Sequence, residues 1–350
     1  MITTAHAVHP NDNKRILIRT DASVLIGSGH LMRCLTLADQ LCSAGAEVTF
    51  ACYDDLDGSA AKIIGKRYPL IRLDDPQPGT LPGGTADLLI VDHYGIDHLW
   101  HQAMRPFVKH IMVIDDLANR PLDCDLLLNQ NIHAGAVTYR RLVPDHCRTL
   151  LGPGYTLLRP EFYHLAPHTR TRSSLKRLLL CFGGSDPCHL TEAVLHELAD
   201  NPLMIDVVIG AGNNRHHAIK ALCDANPERW TLHIQTAAMA TLMAHADLAI
   251  GAGGSSHWER CLLGLPALVV TVADNQVEST RLLHEQGACQ WLGDASTLSP
   301  GAIRHAIEEL AHNPQRLEQM SHMAAEVVPQ DGGTRKVVNA IQFLFAADAI

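Results

Sequence analysis

The chain has 350 residues, of which 47% are hydrophobic and 19% charged, as is typical of a soluble globular protein with room for two domains. Its formal net charge of −9 argues against a broad electrostatic surface for nucleic acid. No apolar run approaches the roughly 20 residues that span a bilayer, and the ten cysteines form no C-x-x-C pair, so we expect a cytoplasmic protein with reduced thiols, no membrane span and no zinc site.

The first informative stretch couples a strand, a glycine turn and a helix. Residues 1–14 are polar, lack an apolar signal core and predict a loose leader. An apolar segment of strand length then begins at Ile16, turns at Gly27 and Gly29, and continues as a helical pattern whose first turn holds His30. Because a helix N-terminus disfavours positive charge, a neutral imidazole is favoured there, which suits a general base that activates water. A histidine that caps its own helix fits the position equally well.

Polar residues end several of the strands predicted next. Strands alternate with helices as far as residue 165, which predicts a parallel sheet whose carboxyl strand ends face a ligand crevice. The residues at those ends are Asp21, Asp92, His93, Tyr94, Asp115, Asp116 and Asn129. Asp92, Asp115 and Asp116 fit the acid/base pair of a glycosidase, but turn and cap positions are the commoner role of such residues.

The second half of the chain repeats the α/β pattern. The stretch 166–174 is polar, basic and without periodicity, so we interpret it as the linker between an N-terminal domain, 15–165, and a C-terminal domain, 175–330. Residues 331–350 are predicted to form a C-terminal helix. The two domains are expected to be Rossmann-like and to face each other across a cleft.

Two glycine-serine turns in the second domain each follow a predicted strand and open a predicted helix. They are Gly183-Gly184-Ser185 and Gly253-Gly254-Ser255-Ser256. Their bare amides and hydroxyls suit a diphosphate, although each turn taken singly fits an ordinary tight connection equally well. No Gly-Lys-Ser/Thr follows either turn, which disfavours a kinase or an ATPase.

Glu259 is open to two interpretations. The spacing Ser256-x-x-Glu259 is that of a capping box, in which the carboxylate bonds to the amide of the cap. A carboxylate beside a phosphate site also suits the two hydroxyls of a ribose. The spacing alone favours the cap.

Taken together, these stretches resemble the nucleotide-sugar hydrolases of the pseudaminic acid pathway. The resemblance runs from about Arg15 to about Glu285. It rests on R-x-D-A-S-x-x-I-G-x-G-H-x-x-R at 19–33, D-H-Y-G at 92–95, D-D-L-x-N-R at 115–120, C-D-L-L-L-N-Q-N at 124–131, L-R-P-E-F at 158–162, F-G-G-S-D-P at 182–187, the block 255–266 and Asn275-Gln276.

The resemblance implies a fold similar to that of GT-B glycosyltransferases, with the nucleotide held mainly by the C-terminal domain. It implies that water removes UDP from C1 of UDP-2,4-diacetamido-2,4,6-trideoxy-β-L-altropyranose with inversion, without a metal or other cofactor. The protein is then expected to act as a monomer on this small substrate, in a pathway that serves flagellin glycosylation.

The family's site residues carry over onto matching positions. His30 is similar to the base and Tyr94 to a residue beside the sugar, with Gly29 and Asp92 near the substrate. Glu259 is similar to the ribose carboxylate, which reverses the preference drawn from spacing. The other expected nucleotide or sugar ligands are Gly183, Gly184, Ser185, Gly254, Ser255, Ser256, Asn275 and Gln276. Asp21 and Asn129 match motif positions without an assigned role.

Two other functions are compatible with the sequence. A GT-B glycosyltransferase that uses a UDP-amino sugar shares the fold and the UDP site but needs an acceptor groove, often with an amphipathic membrane patch. No such patch is apparent in the N-terminal half. A non-catalytic nucleotide-sugar-binding protein is disfavoured by the presence of both His30 and Tyr94.

Overall fold

The computed structural model describes residues 13–21, 29–53, 58–65, 67–168 and 170–347. Gly27 and nearly all of the predicted leader lie outside these ranges. The chain forms two compact units. One holds the described residues up to Leu157 and those from Gly332 onward, and the other spans Leu158–Asp331.

The first unit is built on an all-parallel sheet of seven strands in the order β3-β2-β1-β4-β5-β6-β7, counted over its described residues. The strands are β1 Arg15–Thr20, β2 Glu47–Cys52, β3 Leu70–Arg72, β4 Ala86–Asp92, β5 Val108–Ile114, β6 Leu126–Asn129 and β7 Arg148–Leu151. The helices that follow within the same stretch are α1 Gly29–Ser43, α2 Ser59–Ile64, α3 His98–Met104 and α4 Ala136–Tyr139.

The strands β1, β4 and β5 occupy the middle of the sheet because each contains a run of apolar residues. The runs 16–18 in β1, 88–91 in β4 and 111–114 in β5 are buried along their length, as expected when helices cover both faces of a parallel sheet. Strand order reverses between β1 and β4, which lie side by side with Thr20 opposite Asp92. That reversal is the point at which open α/β sheets bind ligands, beyond the carboxyl ends of the strands.

The second unit repeats this plan, and its described part forms six parallel strands in the order β10-β9-β8-β11-β12-β13. The strands are β8 Arg177–Cys181, β9 Met204–Ile209, β10 Trp230–Ile234, β11 Leu248–Ala252, β12 Ala267–Thr271 and β13 Gln290–Asp294. The helices are α5 Pro160–Leu165, α6 Leu190–Glu197, α7 His216–Asp224, α8 Met239–His245, α9 Ser256–Leu262, α10 Val277–Glu285, α11 Ala302–Ala311 and α12 Pro314–Val327. Here the strand order reverses between β8 and β11.

The stretch interpreted as a linker, 166–174, belongs to the second unit, and the chain divides earlier, between Leu157 and Leu158. The reason is Arg172, whose side chain is fully buried although the composition around it is polar and basic. Its guanidinium donates to carbonyls at the ends of two helices, those of Met243 and Ala246 at α8 and of Gly264 after α9, at 2.8–3.3 Å. A cation placed among helix C-terminal carbonyls satisfies them and holds this stretch against the domain.

The last helix, α13 (Gly333–Ala347), belongs to the first unit although 174 residues of the second unit, Leu158–Asp331, precede it. Its buried residues Val337, Ile341 and Phe345 share a core with Leu37 and Leu41 of α1. The predicted C-terminal helix therefore forms, and it completes the hydrophobic core of the N-terminal domain. None of the helices in the described residues combines the length and apolar character that crossing a membrane requires.

Candidate active site

The N-terminal unit brings His30 and Asp92 together at its strand-order reversal. His30 is the second residue of α1, the helix that follows β1, and Asp92 ends the neighbouring strand β4. The imidazole Nδ1 lies 2.6 Å from Asp92 Oδ1. The side chain of His30 is 12% exposed and that of Asp92 is fully buried, so the histidine is the member of the pair within reach of a ligand.

The state of Asp92 fixes the tautomer of His30. Burial by itself raises the pKa of Asp92, but Arg33 and His30 together hold it well below the usual range. An ionised carboxylate only accepts hydrogen bonds. Nδ1 of His30 must therefore donate to Asp92, which leaves the lone pair on Nε2 to accept a proton. In the described residues the His30 ring bonds through Nδ1 to Asp92 rather than capping its own helix.

Both carboxylate oxygens of Asp92 are bonded to side chains of its own unit. Arg33 donates to both of its carboxylate oxygens, from Nε and Nη2, each at 2.6 Å. Cys34 Sγ adds a weaker bond at 3.4 Å. Since these partners and His30 occupy a fully buried carboxylate, the geometry favours a positioning role for Asp92 over the predicted substrate contact.

A second set of contacts surrounds the same histidine. The ring of Tyr94 packs edge-to-face against the ring of His30, with centroids 4.6 Å apart. Tyr94 OH donates to Asp116 Oδ2 at 2.9 Å, and Arg33 Nη1 donates to the same carboxylate at 2.9 and 3.1 Å. Asn131 Nδ2 completes the set at 3.4 Å from Asp116 Oδ1. His30 and Tyr94, predicted as neighbours of the sugar, therefore lie together.

The remaining polar residues at strand ends of this unit have structural partners. Asp21 is bound by Arg19, by His93 and by the Tyr53 amide, and these hold its pKa well below the usual range against the effect of burial. The other two are Asp115, bound by Arg120 Nη1 and Tyr139 OH, and Asn129, bound to Tyr139 OH and the Asn131 amide. Asp115 is fully buried by these contacts, which leaves it no place in a glycosidase pair.

The C-terminal unit places both glycine turns at its own strand-order reversal. Gly183-Gly184-Ser185 follows β8, and Gly253-Gly254-Ser255 follows the adjacent strand β11. Gly183 and Gly254 have φ values of +89° and +86°, a conformation that L side chains rarely adopt. The two turns predicted as nucleotide ligands are therefore neighbours, with exposed backbone at Gly183 and Gly184.

The third strand of the series, β12, supplies Asn275 and Gln276. Both lie in a short 3-10 helix, Asp274–Gln276, that follows β12. Gln276 Oε1 accepts the Val272 amide at 3.1 Å, and its side chain packs directly against Gly253. Asn275 is exposed.

Glu259 does not form the capping box. Helix α9 begins at Ser256 with Ser255 as its N-cap, and no side chain bonds to the cap amides, so Glu259 lies one position beyond the place a capping box requires. Its carboxylate instead lies 3.8 Å from Arg159 Nη2 and is 20% exposed. Burial raises the pKa of Glu259 to about 7, although Arg159 and Arg260 oppose the rise. Among the described residues no side chain lies within hydrogen-bonding distance of this carboxylate. A partly exposed carboxylate whose charged form is destabilised by burial is typical of a ligand site.

A buried polar chain beneath the second turn was not predicted. His257 Nε2 lies 2.9 Å from Thr280 Oγ1, and Thr280 in turn donates to the Gln276 carbonyl at 2.7 Å. His257 Nε2 is therefore the donor and its Nδ1 accepts Arg260 Nη2 at 3.1 Å. Burial and Arg260 hold the pKa of His257 well below the usual value, in agreement with this neutral form. These hydrogen bonds link α9 to α10 and stabilise the second glycine turn.

The substitution Gly253→Ala should lower the free energy of unfolding by about 1–3 kcal/mol and weaken UDP binding. A Cβ at Gly253 would lie 2.9 Å from Gln276 Cβ and 3.0 Å from Thr280 Oγ1, so the turn or Gln276 must move. Thermal unfolding and calorimetric UDP titration measure the two effects. Gly212→Ala is the matched control, because a Cβ there meets no heavy atom within 4 Å. Equal effects of the two substitutions would contradict this close packing.

Comparison with known proteins gives a family match and a similar curated protein. The model of the glycosyltransferase family 28 C-terminal domain matches residues 178–334. Over 279 residues the chain is 29% identical to the UDP-2,4-diacetamido-2,4,6-trideoxy-beta-L-altropyranose hydrolase of Campylobacter jejuni, and the alignment covers 78% of this chain and 97% of that protein. The chain is a relative of that hydrolase. The resemblance predicted from the motifs is confirmed, and the family 28 match contains both glycine turns and Glu259.

Solved structures with a similar fold include Acinetobacter baumannii MurG and Arabidopsis thaliana UGT89C1. MurG gives a TM-score of 0.63 at 17% identity and covers 94% of this chain and 99% of its own. UGT89C1 gives 0.61 at 13% identity and covers 95% and 100%. At such low identity the likeness concerns the fold alone, and the predicted GT-B-like α/β fold with two Rossmann-like domains is confirmed.

Several residues around the site were missed by sequence reasoning. Arg33 had a readable signal, because it lies three residues after His30 on one face of a helix. Asp116 was considered only as an acid/base or turn residue. Arg159, beside Glu259, and the His257–Thr280 pair depend on contacts between elements distant in sequence, which no local pattern reveals.

Proposed function

We propose that this protein is a nucleotide-sugar hydrolase that releases UDP from UDP-2,4-diacetamido-2,4,6-trideoxy-β-L-altropyranose for pseudaminic acid biosynthesis. The observation that carries the proposal is the His30–Asp92 pair, with Nδ1 engaged at 2.6 Å and Nε2 left as the basic nitrogen. The similarity to the Campylobacter jejuni hydrolase, which covers 97% of that protein, supports this choice of substrate.

The proposed reaction needs one base. Nε2 of His30 takes a proton from water as the water oxygen bonds to C1 of the sugar, and the C1–O bond to UDP breaks with inversion. The proton stays on the imidazole, whose positive charge Asp92 stabilises through Nδ1. UDP leaves with the bonding electron pair. Since a diphosphate is already a good leaving group, no second carboxylic acid is required.

The residues of the C-terminal unit suit the nucleotide. Backbone amides of Gly183, Gly184 and Gly254, with the hydroxyls of Ser185, Ser255 and Ser256, are the proposed donors to the diphosphate. Glu259 is the proposed acceptor for the ribose hydroxyls, and Asn275 and Gln276 the proposed contacts to sugar or phosphate. With charge neutralised by these donors, the proposal requires no metal ion.

A glycosyltransferase that uses a UDP-amino sugar is the second candidate. The match of residues 178–334 to a glycosyltransferase domain favours it. In that case the same histidine would take a proton from an acceptor hydroxyl rather than from water.

Incubation of the protein with the UDP-sugar in ¹⁸O-water and excess EDTA distinguishes the hydrolase from the glycosyltransferase. Hydrolysis at C1 puts the label in the free sugar and leaves UDP unlabelled, as mass spectrometry of both products would show, and proton NMR of the first product gives the anomer. Label in UDP would indicate attack at phosphorus. Release of UDP only when an acceptor is added would establish the transferase, and release only without EDTA would show that a metal is needed.

A further inference from the structure

Arg33 joins two carboxylates around His30. Its Nε and Nη2 atoms bind Asp92, and its Nη1 binds both oxygens of Asp116 at 2.9 and 3.1 Å. Each nitrogen of the guanidinium therefore donates a hydrogen bond to a carboxylate. The side chain of Arg33 is 8% exposed, so these bonds are largely shielded from water. Both carboxylates raise the pKa of Arg33 well above its usual value, although burial opposes them.

Asp116 reaches His30 by two routes. Through Arg33 it connects to Asp92, which bonds to Nδ1 of His30. Through the hydroxyl of Tyr94, at 2.9 Å, it holds the aromatic ring that packs edge-to-face against His30. The two routes restrain the imidazole by different contacts, one by a hydrogen bond and the other by ring packing.

We propose that Asp116 is a positioning residue that fixes the ring of His30 through Arg33 and Tyr94, and balances the charge that His30 acquires when it accepts a proton. The kinetic part of this proposal rests on the hydrolase function proposed above. Asp116 need not touch the substrate.

The charges in the cluster explain why a second carboxylate is useful. With His30 neutral, one guanidinium and the carboxylates of Asp92 and Asp116 sum to one negative charge. Transfer of a proton to His30 brings the cluster to neutrality, in a setting where burial makes uncompensated charge expensive. Without Asp116 the same transfer would leave one uncompensated positive charge at the N-terminus of α1, where positive charge is unfavourable.

The first test is the kinetics of Asp116→Asn in two backgrounds. We expect kcat to fall about 10- to 100-fold, because the base is both misplaced and less well balanced, while KM stays within about threefold. In the His30→Ala background, Asp116→Asn should change the residual kcat by less than about twofold, because there is no imidazole left to position. Asp116→Glu, which keeps the charge, should recover part of the lost kcat.

Asp123→Asn is the matched control. Asp123 also accepts two bonds from one arginine, Arg105, in the same unit, and it is 19% exposed where Asp116 is 11% exposed. It does not contact His30, Arg33 or Tyr94 in the described residues, so kcat should be unchanged in both backgrounds. A fall for Asp116→Asn of equal size with and without His30, or a rise in KM at constant kcat, would overturn the proposal.

Nitrogen-15 NMR of labelled histidine provides a readout that does not require turnover. The His30 signals are those absent from His30→Ala, and their shifts report the tautomer and order of the ring. We expect Asp116→Asn to move or broaden them and Asp123→Asn to leave them alone. Unmoved signals would overturn the proposal even if hydrolysis is established, and moved signals would support the positioning even if the wild-type protein proves not to be a hydrolase.

Discussion

His30→Ala should lower kcat for UDP release by about 10²- to 10⁴-fold and leave the Kd for UDP within about threefold. The large effect is expected because the variant removes the only nitrogen that the Asp92 bond leaves free to accept a proton from water. The Kd for UDP should stay nearly unchanged, because the residues proposed to bind UDP belong to the other unit of the chain. Rapid-mix assays of UDP release and calorimetric titration with UDP measure the two quantities.

His146→Ala is a suitable control for the loss of a histidine. His146 also bonds to an aspartate of the same unit, with Nε2 3.2 Å from Asp125, but its side chain is 63% exposed. We expect full activity from this variant. Parallel loss of activity and UDP binding in His30→Ala, with an altered melting temperature, would instead indicate that His30 is a structural residue.

Glu259→Gln should weaken UDP binding about 10- to 100-fold, because an amide replaces the charged acceptor proposed for two ribose hydroxyls. Since burial raises the pKa of Glu259 to about 7, the carboxylate is progressively protonated below that pH. The Kd of the wild-type protein for UDP should therefore rise more steeply than that of the variant as pH falls from 8 to 6. Titrations at several pH values on both proteins isolate the contribution of Glu259 from the titration of UDP itself.

The same substitution should have the opposite effect on the stability of the free protein. A carboxyl whose folded-state pKa exceeds its unfolded value binds more protons in the native state, so stability falls as pH rises between about 4.5 and 7. Glu259→Gln lacks this loss and should be more stable above pH 7, by an amount on the order of 1–3 kcal/mol. Denaturant unfolding at pH 5 and pH 8 measures the difference.

Glu192→Gln provides the control for both measurements. Glu192 is an ion-paired carboxylate of the same unit, bound to Arg215, whose guanidinium holds its pKa below the usual value. Its loss should leave UDP binding unchanged and should not stabilise the protein. If Glu259→Gln binds UDP as tightly as the wild type, Glu259 has no role in the nucleotide site.

Periodicity and strand-end chemistry predicted most of the fold. Apolar runs separated by amphipathic segments indicated two parallel sheets, and the glycine turns at 183–185 and 253–256 indicated the carboxyl ends of two strands, which are the adjacent strands β8 and β11. The domain boundary was misjudged because Arg172 looks like a surface residue in sequence. Only its surroundings, carbonyls from two helix ends, show that it is an internal cation.

Only part of the candidate site could be predicted, because some of its contacts join residues that are far apart in the sequence. His30, Tyr94 and the glycine turns follow from local pattern and from the family resemblance. The capping box at Ser256 and Glu259 was the wrong alternative, because the helix begins one residue earlier than the spacing suggests, with Ser255 rather than Ser256 as its N-cap. The Arg33–Asp116 contact spans 83 residues of sequence and joins the ends of separate elements, so no local pattern contains it.

The return of α13 to the first unit has a consequence for biosynthesis. The N-terminus of a protein emerges from the ribosome first. The core around Leu37 and Leu41, however, also contains Val337 and Ile341, which are synthesised near the end. The second unit is continuous in sequence and can complete its own core before the final helix is made. We therefore expect the part of the chain that is translated first to finish folding last, with an exposed apolar groove on the nascent chain until α13 emerges.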